Sequence, residues 1–287
     1  MKLIIHADDF GMTPSVNQAI IELCENGVLT STSVMVNMPY YKEVVKLKEL
    51  PVSLGLHSTF TEGFPIASKD KISSLLDSEG KFLSYSNLLK RLKSKKVLWE
   101  HVFIELEAQY LKLREVLEND LSFVDSHHGL QTKYKVFQKA FLKLGEKYKI
   151  HAIRTKNPVF LISEGGSKKL HVFKISSFFK LGLKRWVSSI YYNNLMKAYD
   201  KIYKTADGMI LGGGAGVVNI LSALTQMHKH DLPKGNYFIV VHPSIDEKGL
   251  ENSNLKKVRV DEYKFLMSEQ FKNFYTTKVV PINFKDI

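Results

Sequence analysis

The sequence predicts an α/β fold organised around a largely parallel sheet, and three observations carry that expectation. Short apolar runs of strand length alternate with segments of helical period. The 287 residues, 44% hydrophobic and 24% charged, suffice to bury a large core. The residues richest in chemistry stand just beyond the apolar runs, at strand ends that a parallel barrel or open α/β sheet gathers on one face.

The first run, Leu3-Ile4-Ile5, leads into His6-Ala7-Asp8-Asp9-Phe10-Gly11. Side chains alternate along extended backbone, so the adjacent carboxylates are expected to take different tasks. A helix follows over 15–26: Val16, Ala19, Ile20 and Leu23 recur at helical spacing, with Pro14 at the entrance and Gly27 at the exit. Further strands are predicted over 33–36, 53–56, 123–124, 152–153, 209–211, 238–241 and 279–282, and helices over 102–117, 133–148, 217–227 and 261–274. Gly212-Gly213-Gly214-Ala215-Gly216 lacks the Lys-Ser/Thr of a phosphate loop and the spacing of a dinucleotide fingerprint. It reads as a tight strand-to-helix turn lining the pocket. With no internal repeat and no long Gly/Ser/Pro linker, one domain over 1–287 is the simpler organisation.

Composition narrows the function classes. No apolar run approaches the roughly 20 residues of a membrane span, and Met1-Lys2 enters the first strand directly, so a cytoplasmic location is expected. The single cysteine, Cys24, lies among Ile20, Ile21 and Leu23, the setting of a packed thiol. The net charge of +12 comes from lysines scattered over polar helix faces, with no zinc-finger, RNP or basic-zipper pattern, so nucleic acid is not an expected partner. A divergent segment of about 160–204 mixes Phe173, Phe178, Phe179, Trp186 and Tyr191 with Lys174, Lys180, Lys184 and Arg185. An outer helix or a homodimer contact explains it better than a membrane surface or a glycolipid site.

Asp8 and Asp9, His57, Asp125 with His127 and His128, Arg154, and His242 each follow a different predicted strand. One Asp and two imidazoles make a divalent-metal site that leaves positions open for water and substrate, with Asp9, His57 and His127 as ligands. Zinc suits that set best on affinity, and magnesium, manganese, cobalt or iron can be accommodated. Asp8 fits the general base, Arg154 a partner that keeps it ionised, and His242 an acid that protonates a departing amine.

The segments Ala7-Asp8-Asp9-Phe10-Gly11, Gly27-Val28-Leu29-Thr30-Ser31-Thr32-Ser33, Gly55-Leu56-His57, Thr61-Glu62-Gly63, Asp125-Ser126-His127-His128 and His242-Pro243, in this order over nearly the whole chain, closely resemble the YdjC-like carbohydrate deacetylases. The resemblance implies a deformed, TIM-barrel-like (β/α) barrel. It also implies metal-dependent removal of an N-acetyl group from a carbohydrate, chitooligosaccharide-like or glycolipid-linked, with the same ligands and base, and it is one ground for expecting a homodimer. His128, Glu62 and Asp125, in or beside these motifs, are assigned to the substrate. Two departures stand out. The second His of the family's Ser-His-x-His arrangement is replaced by Gly129, so either His128 compensates or a substrate contact is missing; and the family's His-Pro-Gly is His242-Pro243-Ser244. The alternatives are a non-catalytic carbohydrate-binding protein on this fold and a basic membrane-surface protein.

Overall fold

The computed structural model describes residues 2–155, 158–164, 167–172, 194–210, 220, 235–251 and 253–287. Seven strands run parallel in the order β5 (Ala152–Ile153), β4 (Phe123–Ser126), β3 (Ser53–Ser58), β2 (Ser31–Val34), β1 (Lys2–Phe10), β9 (Asn236–Val241) and β8 (Gly208–Ile210). Beyond β8 lies a hairpin of β6 (Pro158–Glu164), parallel to β8, and β7 (Ser167–Val172), antiparallel to β6. A short β10 (Val280–Pro281) pairs with the first residues of β1.

The sheet is a curled half-barrel, a deformed (β/α) barrel. Strands lie about 4.8 Å apart, so β5 and β1, four intervals apart, would be separated by about 19 Å on a flat sheet. Yet Arg154, just beyond β5, sits 3.0 Å from Asp8 on β1. Only curvature brings them together. Alternation along the strands then defines an inside and an outside. Leu3 and Ile5 face outward into the main core with Val16, Ile20, Leu106 and Phe141 from the surrounding helices. Ile4 faces inward, with Phe123, Ala152, Met209, Phe238 and Val240, in a smaller cluster closed by Phe284 from the C-terminal tail. Phe123 and Phe284 stack with centroids 4.2 Å apart and form the floor on which the His6 ring stands edge-on. Gly55 pairs in register with Phe123, and a Cβ there would lie 2.4 Å from the Phe123 ring. The inside is filled so tightly that this strand position has no room for a side chain.

Helices cover the outer face. α1 (Pro14–Glu25) starts where the sequence signals place it, with Pro14 in its first turn and the Thr13 hydroxyl accepting from the Val16 N–H at 3.2 Å. α2 (Tyr85–Lys93), α3 (Trp99–Leu117), α4 (Leu130–Lys133) and α5 (Lys135–Tyr148) follow. The predicted helix over 261–274 is two helices, α6 (Lys256–Leu266) and α7 (Glu269–Lys278), because the Ser268 hydroxyl caps a new start at the Phe271 N–H. The first strand does not stop before the carboxylates but contains them. α2 and the β6–β7 hairpin lack sequence signals strong enough to predict them, and the second strand begins two residues earlier than expected. The glycine run 212–216, the predicted helix over 217–227 and the aromatic-basic stretch 173–193 lie outside the described residues. Among the described residues, no helix is long and apolar enough to cross a membrane.

Gly55→Ala should lower stability by about 1–3 kcal/mol through overpacking against Phe123. Equilibrium urea unfolding measures this, and an unchanged midpoint contradicts the packing described.

Candidate metal centre and active site

The site begins with an irregularity in β1. Ala7 pairs with Thr32 but Phe10 with Val34, so β1 carries one residue more than β2 across this stretch, a bulge. Asp9 takes a left-handed conformation with φ 70°, which costs a non-glycine residue about 1–2 kcal/mol. The consequence corrects the expected alternation: both carboxylates reach the cleft. The chain leaves the bulge through Gly11 at φ 100°, where a Cβ would press on the Met35 carbonyl at 3.1 Å. Buried Asn17 accepts the Gly11 N–H at 2.6 Å and donates to the Tyr40 carbonyl at 3.0 Å, fixing the turn.

Asp9, His57 and His127 converge from β1, β3 and the turn after β4. Asp9 Oδ1 lies 3.4 Å from His57 Nε2 and 3.3 Å from His127 Nδ1, and the two nitrogens are 3.4 Å apart. Edges of this size belong to a tetrahedral face around a cation with ligand bonds of about 2.0–2.1 Å. Asp9 Oδ1 is moreover buried without a hydrogen-bond partner, which is the state of an atom built to meet a cation. The cluster suits a divalent metal.

Behind the ligand set stands a layer of acids and guanidinium groups. Asp125 Oδ1 is 2.6 Å from His57 Nδ1, and since a carboxylate only accepts, Nδ1 carries a proton and Nε2 is the nitrogen that faces the cluster. The other Asp125 oxygen accepts from Arg154 Nε at 2.6 Å. Asp125 is 0% exposed, so it does not reach the substrate as the sequence suggested; it stands beneath His57. Arg154 spans Asp125 and Asp8, the partner expected for it. His6, fully buried on the Phe floor, donates from Nε2 to Asp8 at 2.8 Å and accepts from the Ser31 hydroxyl at Nδ1. Arg259 from α6 donates to the second oxygen of Asp9 at 2.5 Å, turning Oδ1 toward the histidines.

Among the described residues, the three buried carboxylates Asp8, Asp9 and Asp125 face the guanidinium groups of Arg154 and Arg259, leaving one negative charge of this group to be met. Burial alone would push all three acids up. Arg154 beside Asp8 and Asp125, and Arg259 beside Asp9, outweigh it and hold each well below the usual carboxylate range. Burial pulls His57 down, but Asp8 and Asp125 overcome it and push the ring up to about 10. In the metal-free protein an imidazolium supplies the missing positive charge.

His242 enters the cleft from the end of β9, with Nε2 3.6 Å from Asp8. Burial pushes it down to about 4, so it is neutral at pH 7. Its backbone N–H donates to buried Glu262 at 2.7 Å. His128 at φ 61° packs at a tilt against His127 and Tyr85, and burial followed by the neighbouring His127 pushes it down to about 3. Glu62 stands at the mouth, its side chain 44% exposed, 3.5 Å from His127 Nε2. The cleft between these groups has a volume of about 510 Å³. Its apolar side is formed by Met12, Met38, Met209, Val240, Leu250 and Leu255.

Sequence reading missed Arg259, Glu262 and the role of His6. A signal for the first two exists: they share the buried face of α6 with Phe265 and Leu266, at i, i+3, i+6 and i+7, so charged residues stand on an apolar stripe. Starting that helix at 261 hides the pattern.

A family model described as YdjC-like protein matches residues 2–277. A carbohydrate deacetylase of Thermoanaerobacter pseudethanolicus is 35% identical over 185 residues, 64% of this chain and 72% of its own length. One of Clostridium beijerinckii is 28% identical over 297 aligned positions, covering 100% of both chains. A crystal structure from Enterococcus faecalis, named provisionally for cellobiose-phosphate cleavage, superposes with a TM-score of 0.76 at 25% identity, covering 99% of this chain and 98% of that one.

Replacing Arg259 by Met leaves Asp9 buried without its cation and should destabilise the metal-free protein by about 3–5 kcal/mol. Urea unfolding in the presence of a chelator reads the loss, and wild-type stability contradicts the charge balance drawn above.

Proposed function

The chain belongs to the YdjC-like family, and on that premise we propose that it is a metal-dependent hydrolase that removes the N-acetyl group from an N-acetylated carbohydrate, chitooligosaccharide-like or glycolipid-linked. The observation that carries the proposal is the triangle of Asp9 Oδ1, His57 Nε2 and His127 Nδ1, open to a cleft that also presents Asp8 and His242. The names of the deacetylase relatives supply the reaction class.

Asp9, His57 and His127 would hold the cation. When bound, it supplies Lewis acidity, polarising the acetamide carbonyl and easing deprotonation of water. Two imidazoles and one carboxylate rank zinc above magnesium as the resident ion. Asp8 takes the proton from the attacking water. Arg154 and His6 fix its carboxylate while Oδ2 stays turned toward His242, 3.6 Å away. Because His242 rests neutral, it starts without a proton to give and acts as a relay, receiving the water's proton from Asp8 and passing it to the departing amine. The backbone hold from Glu262 keeps the ring over the cleft, and Ser244, which stands where the family places glycine, is in backbone that is not left-handed. The water's second proton leaves the new carboxyl group and is taken up by the freed amine, so acetate and the ammonium form of the sugar depart with atoms and protons balanced.

Acetate release from N-acetylglucosamine, chitooligosaccharides and glycolipid-linked acetamido sugars, with metal content measured on the same preparation, tests the assignment. Asp8→Asn should retain metal and lose at least about 100-fold in kcat, the scale of general-base catalysis. His57→Ala and His127→Ala should lose metal and turnover together. Full activity in either histidine variant would sink the ligand set.

Cation uptake should depend on pH with a definite sign. His57 is raised to about 10 in the metal-free protein, so below that pH a cation must displace its proton, and affinity should climb as pH rises from 6 to 9. Calorimetry in buffers of different ionisation enthalpy should show at least one proton released per cation at pH 7, because Asp9 and Glu62 raise His127 as well. Binding with no proton release would contradict the protonation state given for His57.

A further inference from the structure

Each candidate ligand histidine has an acid on its other nitrogen, but the two acids are held in different ways. Asp125 belongs to a strand and is immobilised by Arg154. Glu62 stands on a loop, 59–67, which no strand pairing supports. The Phe82 N–H donates to the Gly63 carbonyl at 3.1 Å, and the two ends of the loop are held from α3. Gln109, fully buried, accepts the Thr59 N–H at 2.9 Å and donates to the Thr59 carbonyl at 2.7 Å and to Glu105 at 2.7 Å. Glu105, also 0% exposed, accepts the N–H groups of Ile66 and Ala67 at 3.0 and 2.9 Å, one on each oxygen. Between these anchors Asn37 donates to the carbonyls of Glu62 and Phe64 at 2.8 and 3.3 Å, and Gly63, at φ 73°, turns the chain.

A buried carboxylate answered by amide donors rather than a cation is costly to retain for packing alone. Resting on the reading of Asp9, His57 and His127 as a cation-binding set, we infer that Glu105 and Gln109 are positioning residues for the metal centre, holding loop 59–67 so that Glu62 orients His127. Glu62, 3.5 Å from Nε2, is placed to accept the N–H on that side, which leaves the Nδ1 lone pair for the cation. His57 is the mirror case, with its proton on Nδ1 toward Asp125 and its lone pair on Nε2. On this account Glu62 supports a ligand rather than the substrate, and Glu105 acts on the metal through it without touching it.

The test is zinc affinity, measured by competition with a chromophoric chelator on the full chain. Glu62→Ala should weaken binding about 10- to 100-fold, the usual loss for an outer partner of a ligating histidine. Glu105→Gln presents an amide N–H to donors that need an acceptor and should weaken binding in the same direction. The double variant should be no weaker than the worse single one, because both changes remove the same support. Wild-type affinity in Glu105→Gln, or losses that multiply in the double variant, overturns the inference. If Glu105→Gln fails to fold, Asn37→Ala takes its place with the same expected loss, and unchanged affinity in that variant is equally decisive against it. Wild-type protein that binds no zinc at all would instead overturn the cation-binding reading itself. Wild-type protein that binds zinc but releases no acetate would overturn the deacetylase reading and leave this one standing.

Discussion

The site depends on a buried charge balance. Asp8, Asp9 and Asp125 converge where little of them is exposed to water, and among the described residues Arg154 and Arg259 meet two of the three charges. The remaining charge must be neutralised by something positive, an imidazolium or a divalent cation. That requirement connects features that look separate. It accounts for the raised His57, for the depressed carboxylates, for an Arg reaching in from α6, and for a carboxylate oxygen of Asp9 that is buried with no hydrogen-bond donor.

Curvature of the sheet makes the balance achievable. Arg154 reaches both Asp125 and Asp8 only because the sheet rolls β5 toward β1. The rolled interior needs a floor, supplied by Phe123, Phe238 and Phe284 beneath His6. Gly55 is the counterpart of that filling, a strand residue without a side chain beside the Phe123 ring. Left-handed backbone occurs at the helix ends, at Lys95, Glu118 and Lys149, and also at the cleft. Asp9 and His128, both in left-handed backbone, border the cleft, as does Gly129 at φ 62°.

Much of this was legible from residues alone, for a definable reason. A strand of parallel type announces itself by an apolar run, and its polar successor is then placed at the carboxyl end whatever the connections between strands. Hence Asp9, His57, His127, Arg154 and His242 could be grouped before their distances were known. The legible part of the fold was the part with local signals: the capped α1, the apolar cores of β3, β4 and β9. The double helix at the C-terminal end blurred because a single Ser268 cap breaks an otherwise continuous helical period. The role of Asp125 was misplaced because sequence reports that an acid stands at a strand end, but not which face of the next ring it meets.

By itself, then, the sequence determined the strand-end constellation, the parallel α/β class and the family resemblance, since these rest on local period and on motif order. Tertiary structure alone decided that a bulge turns both neighbouring carboxylates into one cleft, that Asp125 meets the His57 ring, that Arg259 reaches Asp9 across 250 residues while Glu262 of the same helix holds the His242 backbone, and that Glu105 and Gln109 grip the loop of Glu62. The physical reason is the same in each case. A hydrogen bond or ion pair is fixed by angstrom-scale placement of two groups, and between residues far apart in the chain that placement exists only once the sheet has curled and the helices have packed against it.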